Sequence, residues 1–298
     1  MDTRFLETLV TVVECGSLAE AARRLNLTAS AVAQRIQALE TEIGIPLLAR
    51  SGRTVHPTSA AVAVLERARS VQREIRDLKS VAASGILSGE LRLGVVPSML
   101  TGFLPDVLAH FSASHPQIEL RIARGDSAEV YRELIEERTD VAITSEPPFA
   151  IPKTCDWSLL REEPYVVLAS AMILERDPLV ILRQEPFIRL HRKLHAGQAI
   201  DRYLRKKGIH PIERFELDGL GAIAIMVDRG LGVSLLPDYP PPWPEGLTLR
   251  KIPISDRSMV RRIGLLWRRA SLRIGLIRAF ARHAEQTAGR KARRARRR

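Results

Sequence analysis

The chain has 298 residues, 45% hydrophobic and 27% charged. That length and balance suit about two globular domains and exclude a disordered, collagen-like or disulfide-built chain. The 46 basic residues outnumber 34 acidic ones, and the net charge of +12 points to a polyanionic partner.

The first segment reads as helices. Phe5, Leu6, Leu9, Val10, Val12 and Val13 recur at helical spacing, and Gly16 stops that helix. Ser17 and Glu20 form a capping-box pair that opens a second helix carrying Ala21, Ala22 and Leu25. Thr28 caps a third, whose buried stripe is Val32, Ile36, Leu39 and Ile43, with Gly44 as its stop. Two helices joined by a short turn after a supporting helix outline a helix-turn-helix. Residues 50–57 read as a tight hairpin with Arg53 at its tip. A long helix follows at about 59–83, roughly 37 Å in length. Leu65, Ala68, Val71, Ile75, Leu78 and Ala82 mark it as a seam for a second copy. The alternative is a helix packed on its own domain. Ser84-Gly85 and Ser88-Gly89 read as a flexible joint.

From residue 90 strands alternate with helices. Strands are expected at 91–96, 118–122, 140–144, 165–168, 187–190, 214–217 and 233–236. Helices are expected at 101–114, 128–138, 196–207 and 220–229. This rhythm predicts parallel sheets covered by helices, in two lobes with a cleft. One lobe is expected from 90–160 plus 268–285 and the other from 161–267. Residues 286–298 form a basic tail. Its last nine residues carry seven basic groups and no acid, so it is expected to stay unpacked. By contrast, residues 1–58 hold six basic and six acidic groups, a net charge of zero.

No apolar run reaches the roughly 18 residues of a membrane span, and the first residues lack a secretory pattern. Cys15 and Cys155 have no Cys or His neighbour at ligand spacing, so neither a metal nor a disulfide framework is expected, and a reducing cytoplasm is the expected compartment. No nucleophile elbow, phosphate loop or dinucleotide fingerprint occurs. His191 and His195 stand four apart, but no local carboxylate or Cys completes a metal set. No enzyme activity and no cofactor are expected.

Residues 17–50, SLAEAARRLNLTASAVAQRIQALETEIGIPLLAR, resemble the LysR-type transcriptional regulators. Ser17, Ala21, Ala22, Leu25, Ser30, Ala31, Val32, Ile36, Leu39, Glu40, Gly44, Leu47 and Arg50 occupy the positions of that family's motif. Further on, LPDVLAHFSASHPQIEL, DVAIT and GLGVSLLP look like its ligand-binding domain, in the family's order. Two departures stand out. Ser59-Ala60-Ala61 follows Pro57-Thr58 without the usual Gly, and Gln34 stands where members often carry Arg, with Arg at 35 instead. The resemblance implies a winged helix-turn-helix on double-stranded DNA and a dimerising linker helix. It also implies a two-lobed α/β domain like periplasmic binding proteins, sensing a small molecule, in homodimers and homotetramers.

On the third helix, Ser30, Gln34 and Gln37 point away from the buried stripe, with Ala31 beside them and Thr28 at the start. Such a face suits a major groove, where Gln pairs with adenine and Ala meets a thymine methyl. Arg35 lies on the flank, as a phosphate contact or a partner of an acid. Arg50 is a phosphate contact or a cap of the third helix. Arg53 is a minor-groove probe or a solvated turn residue. Ligands of open α/β folds sit beyond the carboxyl ends of the strands. There Ser98, Thr101 and Thr144 offer hydroxyls, and Arg189, His191 and Arg192 offer positive charge. Together they suit a small organic anion such as a carboxylate. Two other readings stay open: a C-terminal module that only assembles oligomers, and a solute-binding protein.

Overall fold

The computed structural model describes residues 2–51, 54–82, 87–239 and 243–295, with side chains described except at 50, 51, 66, 70, 73, 74, 76–82 and 292–295. The chain divides into two compact units, Met1–Gly89 and Glu90–Arg298.

In the first unit, α1 (Thr3–Cys15) starts where the Asp2 carboxylate accepts the Arg4 N–H at 2.9 Å, and ends at Gly16 with φ +62°. A left-handed residue there frees the last carbonyls to be capped, which suits glycine. Helix α2 (Leu18–Leu25) is capped by Ser17, and α3 (Ala29–Ile43) by Thr28, whose hydroxyl accepts the Ala31 N–H at 3.1 Å. The three helices close around Leu6, Leu9, Val12, Ala21, Val32, Ile36 and Leu39. Strands β1 (Leu48–Ser51) and β2 (Thr54–Pro57) pair antiparallel as the expected hairpin. Glu40 of α3 holds its entry by accepting the N–H groups of Leu47 and Leu48, at 2.7 and 3.0 Å.

Helix α4 (Ser59–Ala82) has the expected length, but its stripe divides in function. Leu65 and Ala68 are buried in the same core as α1, and Val71 packs against it. The expected seam is therefore corrected over its first half, where those residues already have an apolar partner in their own domain. Ile75 is half-buried, and the side chains of Leu78 and Ala82 lie outside the described residues, as does Ser84-Gly85 of the expected joint, while Gly89 of its second pair already opens the first strand of the next unit.

In the second unit, β3 (Gly89–Val95) runs parallel to β5 (Val141–Ser145), with β4 (Ile118–Arg124) at the edge beside β3. The expected helix at 101–114 is two helices, α5 (Pro97–Gly102) and α6 (Leu104–Ser114), broken at Phe103. Helix α7 (Ser127–Ile135) opens with a full capping box from Asp126 and Glu129. The long β6 (Cys155–Ser170) joins the lobes. Its first part pairs with β11 (Val260–Arg268), and the part from Tyr165 onward pairs with β9 (Ser234–Pro237) and β10 (Leu249–Pro253). The second lobe adds the parallel pair β7 (Pro186–Leu190) and β8 (Ile212–Leu217). Around them lie α8 (Pro178–Gln184), α9 (His195–Lys206) and α10 (Leu220–Asp228).

β11 also pairs with β5, Leu265 opposite Ile143. It thus belongs to the first lobe's sheet, and the return expected at 268 lies ahead of Val260. The central lock of that lobe is Asp140, buried, which accepts from Arg92 Nη2 at 2.7 Å and from Arg273 Nη1 at 2.9 Å. Buried charges persist when paired and hydrogen-bonded in this way. The final helix, α11 (Ile274–Ala295), packs Leu276, Ile277 and Phe280 inward. It also corrects the expected unpacked tail at its start. Lys291 Nζ lies 2.7 Å from Asp106 Oδ2 and donates to the Gly102 carbonyl, and Arg290 Nη1 lies 3.1 Å from His110 Nε2. A helix continuing from a packed segment carries its polar end along with it.

Candidate DNA-binding face and interlobe site

Ser30, Gln34 and Gln37 are exposed on α3 and share one side of it, with Thr28 exposed at its N-cap and Ala31 half-buried. Arg35 is half-buried and turns back to α1, its Nη1 3.5 Å from Thr8 Oγ1. The backbone of Arg50 pairs with Val55 in the hairpin; its side chain, and Arg53 altogether, lie outside the described residues. The other arginines described in this unit's helices α1 and α2 are engaged by acids: Arg4 by Asp2, Arg23 by Glu20, and Arg24 by Glu14 at 3.1 Å. The Arg4 guanidinium holds the Asp2 carboxyl down at about 2.

In the second unit the strand ends bring together a different set from the one expected. Ser98, half-buried at the start of α5, accepts a hydrogen bond from Arg261 Nη2 at 3.1 Å. Arg261 Nε donates to Glu163 Oε2 at 2.6 Å. Glu163 is fully buried, and Arg161 Nε sits 2.9 Å from its other oxygen, close enough for an ion pair but misaligned for a hydrogen bond. Two guanidiniums thus share one carboxylate. Beside them Tyr165 is buried, and burial pushes its hydroxyl up to about 12, with Arg261 opposing that shift. These residues meet where β6 and β11 leave the first lobe, so they sit at the hinge.

Thr144 is fully buried, and its hydroxyl has no partner among the described residues. It stands opposite Gly264 on β11, one residue out of phase with Ile263 and Arg261. Alternation along a strand puts it on the sheet face covered by α7 rather than on the face of Arg261. Thr101 is exposed at the far end of α5, away from Ser98 at its start.

The expected positive wall is engaged elsewhere. Arg189, buried, donates to both Asp201 and Glu213. Arg192 is exposed and bridges Glu213 and Glu216, each at 2.7 Å. His191 Nδ1 accepts the Lys193 N–H at 3.1 Å and lies 3.8 Å from Glu216. The Arg189 and Arg192 guanidiniums hold the Glu213 carboxyl below its usual range. The expected role of Arg189, His191 and Arg192 facing Ser98 and Thr144 is therefore corrected. Parallel pairing of β7 with β8 places the acids of β8 beside them, and the charges neutralise within the second lobe.

His195, at the start of α9, does look toward the first lobe. It is half-buried with an unpartnered Nδ1, and burial lowers its affinity for a proton, an effect that Asp126 at the head of α7 opposes. The sequence reading missed the charge partners Arg161, Glu163 and Arg261. The available signal was their spacing: charged residues two apart inside strands otherwise rich in Val, Leu and Ile. Among the described residues, no group of three His, Cys, Asp or Glu could hold a metal ion, and no helix is long and apolar enough to cross a membrane.

Residues 3–62 match the model of the bacterial regulatory helix-turn-helix proteins of the lysR family, and residues 84–289 match the LysR substrate binding domain. The chain is 28% identical over 246 residues to the HTH-type transcriptional regulator IlvY of Escherichia coli, an overlap covering 80% of this chain and 82% of that one. It is 28% identical over 242 residues to the HTH-type transcriptional regulator CzcR of Bacillus cereus, covering 80% of each. Among solved structures it is similar to a Corynebacterium glutamicum OxyR C206 mutant, at 25% identity and a TM-score of 0.64, over 96% of this chain and 92% of that one. Full-length CbnR, solved in complex with its target DNA, shares the fold at 21% identity and a TM-score of 0.68, over 96% of this chain and 100% of that one.

Proposed function

Because the chain belongs to the LysR family of transcriptional regulators, we propose that α3 reads an operator in the major groove and that the hinge between the lobes receives a small organic anion. DNA binding and an effector-binding domain are the family's common properties. The finer reading concerns residues. Ser30, Gln34 and Gln37 are the base-facing side chains, with Thr28 and Ala31 at the helix entry and Arg35, Arg50 and Arg53 as flanking contacts to the DNA backbone.

The observation that carries the anion reading is the cluster of Arg161, Arg261, Glu163 and Ser98. Two guanidiniums and one buried carboxylate leave a surplus positive charge beside a hydroxyl already oriented by Arg261. A carboxylate is the ligand group whose geometry matches a guanidinium fork. Arg261 and Arg161 thereby take the role first given to Arg189 and Arg192, and Ser98 alone of the expected hydroxyls stands beside them. Two copies are proposed to join along the later half of α4, where the apolar spacing runs on through Ile75, Leu78 and Ala82 past the turns covered by the domain core. Paired heads suit a two-fold operator. Tetramers and a cytoplasmic location complete this reading.

The test is calorimetric titration of the full chain with small carboxylates and with size-matched amines and amides. A carboxylate should bind, and Ser98→Ala and Arg261→Gln should each weaken it by about tenfold or more. Arg192→Gln should leave it unchanged. Binding of amines alone, or wild-type affinity in both site variants, would overturn the anion reading. Absence of any ligand response with operator binding intact would favour the assembly-only module.

A further inference from the structure

Helices α6 and α11 meet through Phe111 and Phe280, both fully buried, whose rings pack edge to face at 5.4 Å. Beside that contact the helices part around a cavity of about 360 Å³. Helix α6 lines it with Ala109, His110, Ala113 and Ser114. Helix α11 lines it with His283, Gln286, Thr287 and Arg290. Each set recurs at helical spacing, so each is one side of its helix. The volume lies in the lower part of the range of small-molecule sites, about 300–1,000 Å³. Ala109 and Ala113 keep the groove open, since neither side chain extends past its Cβ.

The polar lining carries no negative charge: none of its residues is an acid. The acids nearest in sequence are engaged elsewhere. Asp106 pairs with Lys291 at 2.7 Å, and Glu285 accepts from the Ser158 hydroxyl at 2.6 Å. Arg290 Nη1 lies 3.1 Å from His110 Nε2, and His110 Nδ1 lies 2.7 Å from the Asp106 carbonyl. A carbonyl only accepts and a guanidinium only donates, so this ring holds its proton on Nδ1 and accepts on Nε2. Arg290 thus rests on a neutral ring, and among the described residues no carboxylate compensates it. The His283 ring stands edge-on to Phe111 at 5.4 Å, with Nδ1 on the Ala279 carbonyl at 2.9 Å and Nε2 3.4 Å from Ser114 Oγ. The hydroxyls of Ser114 and Thr287 donate to the carbonyls of His110 and His283, at 3.0 and 2.9 Å. Those carbonyls lie within helices and have backbone N–H partners, so either hydroxyl can turn toward a ligand. Burial lowers the proton affinity of the neighbouring His115, and His283 and Arg282 lower it further, the sign of a positive potential at this end of the groove.

We propose that the groove between α6 and α11 binds a small phosphate monoester. The Arg290 guanidinium takes the phosphate with its fork. Ser114, Thr287 and Gln286 donate to the remaining oxygens, and the organic part lies along Ala109 and Ala113. A phosphate brings up to two negative charges and three acceptor oxygens. That matches an uncompensated guanidinium with donors on two walls better than the two oxygens of a carboxylate. None of these residues belongs to the hinge cluster, so the site is independent of the anion reading given there.

The experiment titrates the full chain calorimetrically with inorganic phosphate and with glycerol 3-phosphate, using acetate and methylammonium as controls. Both phosphates should bind, the ester more tightly. Arg290→Gln, at an exposed position, should weaken them by about tenfold or more. Ala113→Leu should weaken the ester similarly by filling the cavity without changing any charge. Thermal melting without ligand should be unchanged in Arg290→Gln, and its rise with added ester should be lost. Arg261→Gln, at the hinge, should leave phosphate binding intact. Wild-type ester affinity in both groove variants would overturn the proposal. So would a loss confined to Arg261→Gln, which would assign the phosphate to the hinge. Failure of both phosphates to bind up to about 10 mM would overturn it as well.

Discussion

Glu163→Gln tests the hinge cluster directly. Glu163 is 0% exposed, while the side chains of Arg261 and Arg161 are 9% and 27% exposed. The amide preserves shape and can still accept one hydrogen bond from Arg261, but both guanidiniums lose their counter-charge. Removing one member of a buried ion pair costs about 3–5 kcal/mol, because the remaining charge stays desolvated. Arg161 reaches water and Arg261 keeps Ser98, so the lower end, about 3 kcal/mol, applies. For a unit of this size each kcal/mol moves the midpoint by about 2–4 °C, giving a fall of about 6–12 °C. Tryptophan fluorescence reads that unit selectively, since Trp157, Trp243 and Trp267 are the chain's three tryptophans and all lie after residue 90. Adding Arg261→Gln should restore part of the loss by removing the stranded charge. Added small carboxylates should stabilise Glu163→Gln more than the wild-type chain, because an external anion replaces the missing one. A shift under about 2 °C, or losses that simply add in the double variant, would refute the buried-pair argument.

Two further outcomes follow from other parts of the molecule. Gln34→Ala should cost about 1–3 kcal/mol at the operator and little on scrambled DNA, whereas Arg35→Ala should weaken both alike; equal losses on both duplexes for Gln34→Ala would remove it as a base reader. Gly264→Ala places a methyl 2.4 Å from the Ser158 carbonyl oxygen and 2.5 Å from the Trp157 ring, in a strand paired on both sides. Overpacking of this kind should destabilise the second unit by about 1–3 kcal/mol in urea unfolding, and an unchanged midpoint would contradict the close approach.

The amino-acid sequence by itself determined the head almost completely. Its stops at Gly16 and Gly44, its cap at Thr28 and its apolar stripes are local signals, and the helices they mark are local structures. The α/β rhythm was legible only in part: β3, β4, β5, β7 and β8 carry their own period, whereas α8, β10, β11 and the first part of β6 were not expected, and β6, β9, β10 and β11 pair antiparallel where parallel sheets were expected. What only tertiary structure decided was which charges meet. Arg189 and Arg192 stand in sequence beside a strand end, as an anion site would require, but β8 lies against β7 and brings Glu213 and Glu216 to them. Arg261 lies 163 residues from Ser98 and 98 from Glu163, and antiparallel pairing of β6 with β11 joins all three. The stripe of α4 shows the same limit. Apolar spacing identifies a face to be buried, but Leu65 and Ala68 found α1 of their own chain before any second copy. Periodicity states that a surface must be covered or a charge compensated. The identity of the partner depends on contacts far apart in sequence, and those exist only once the sheet has formed.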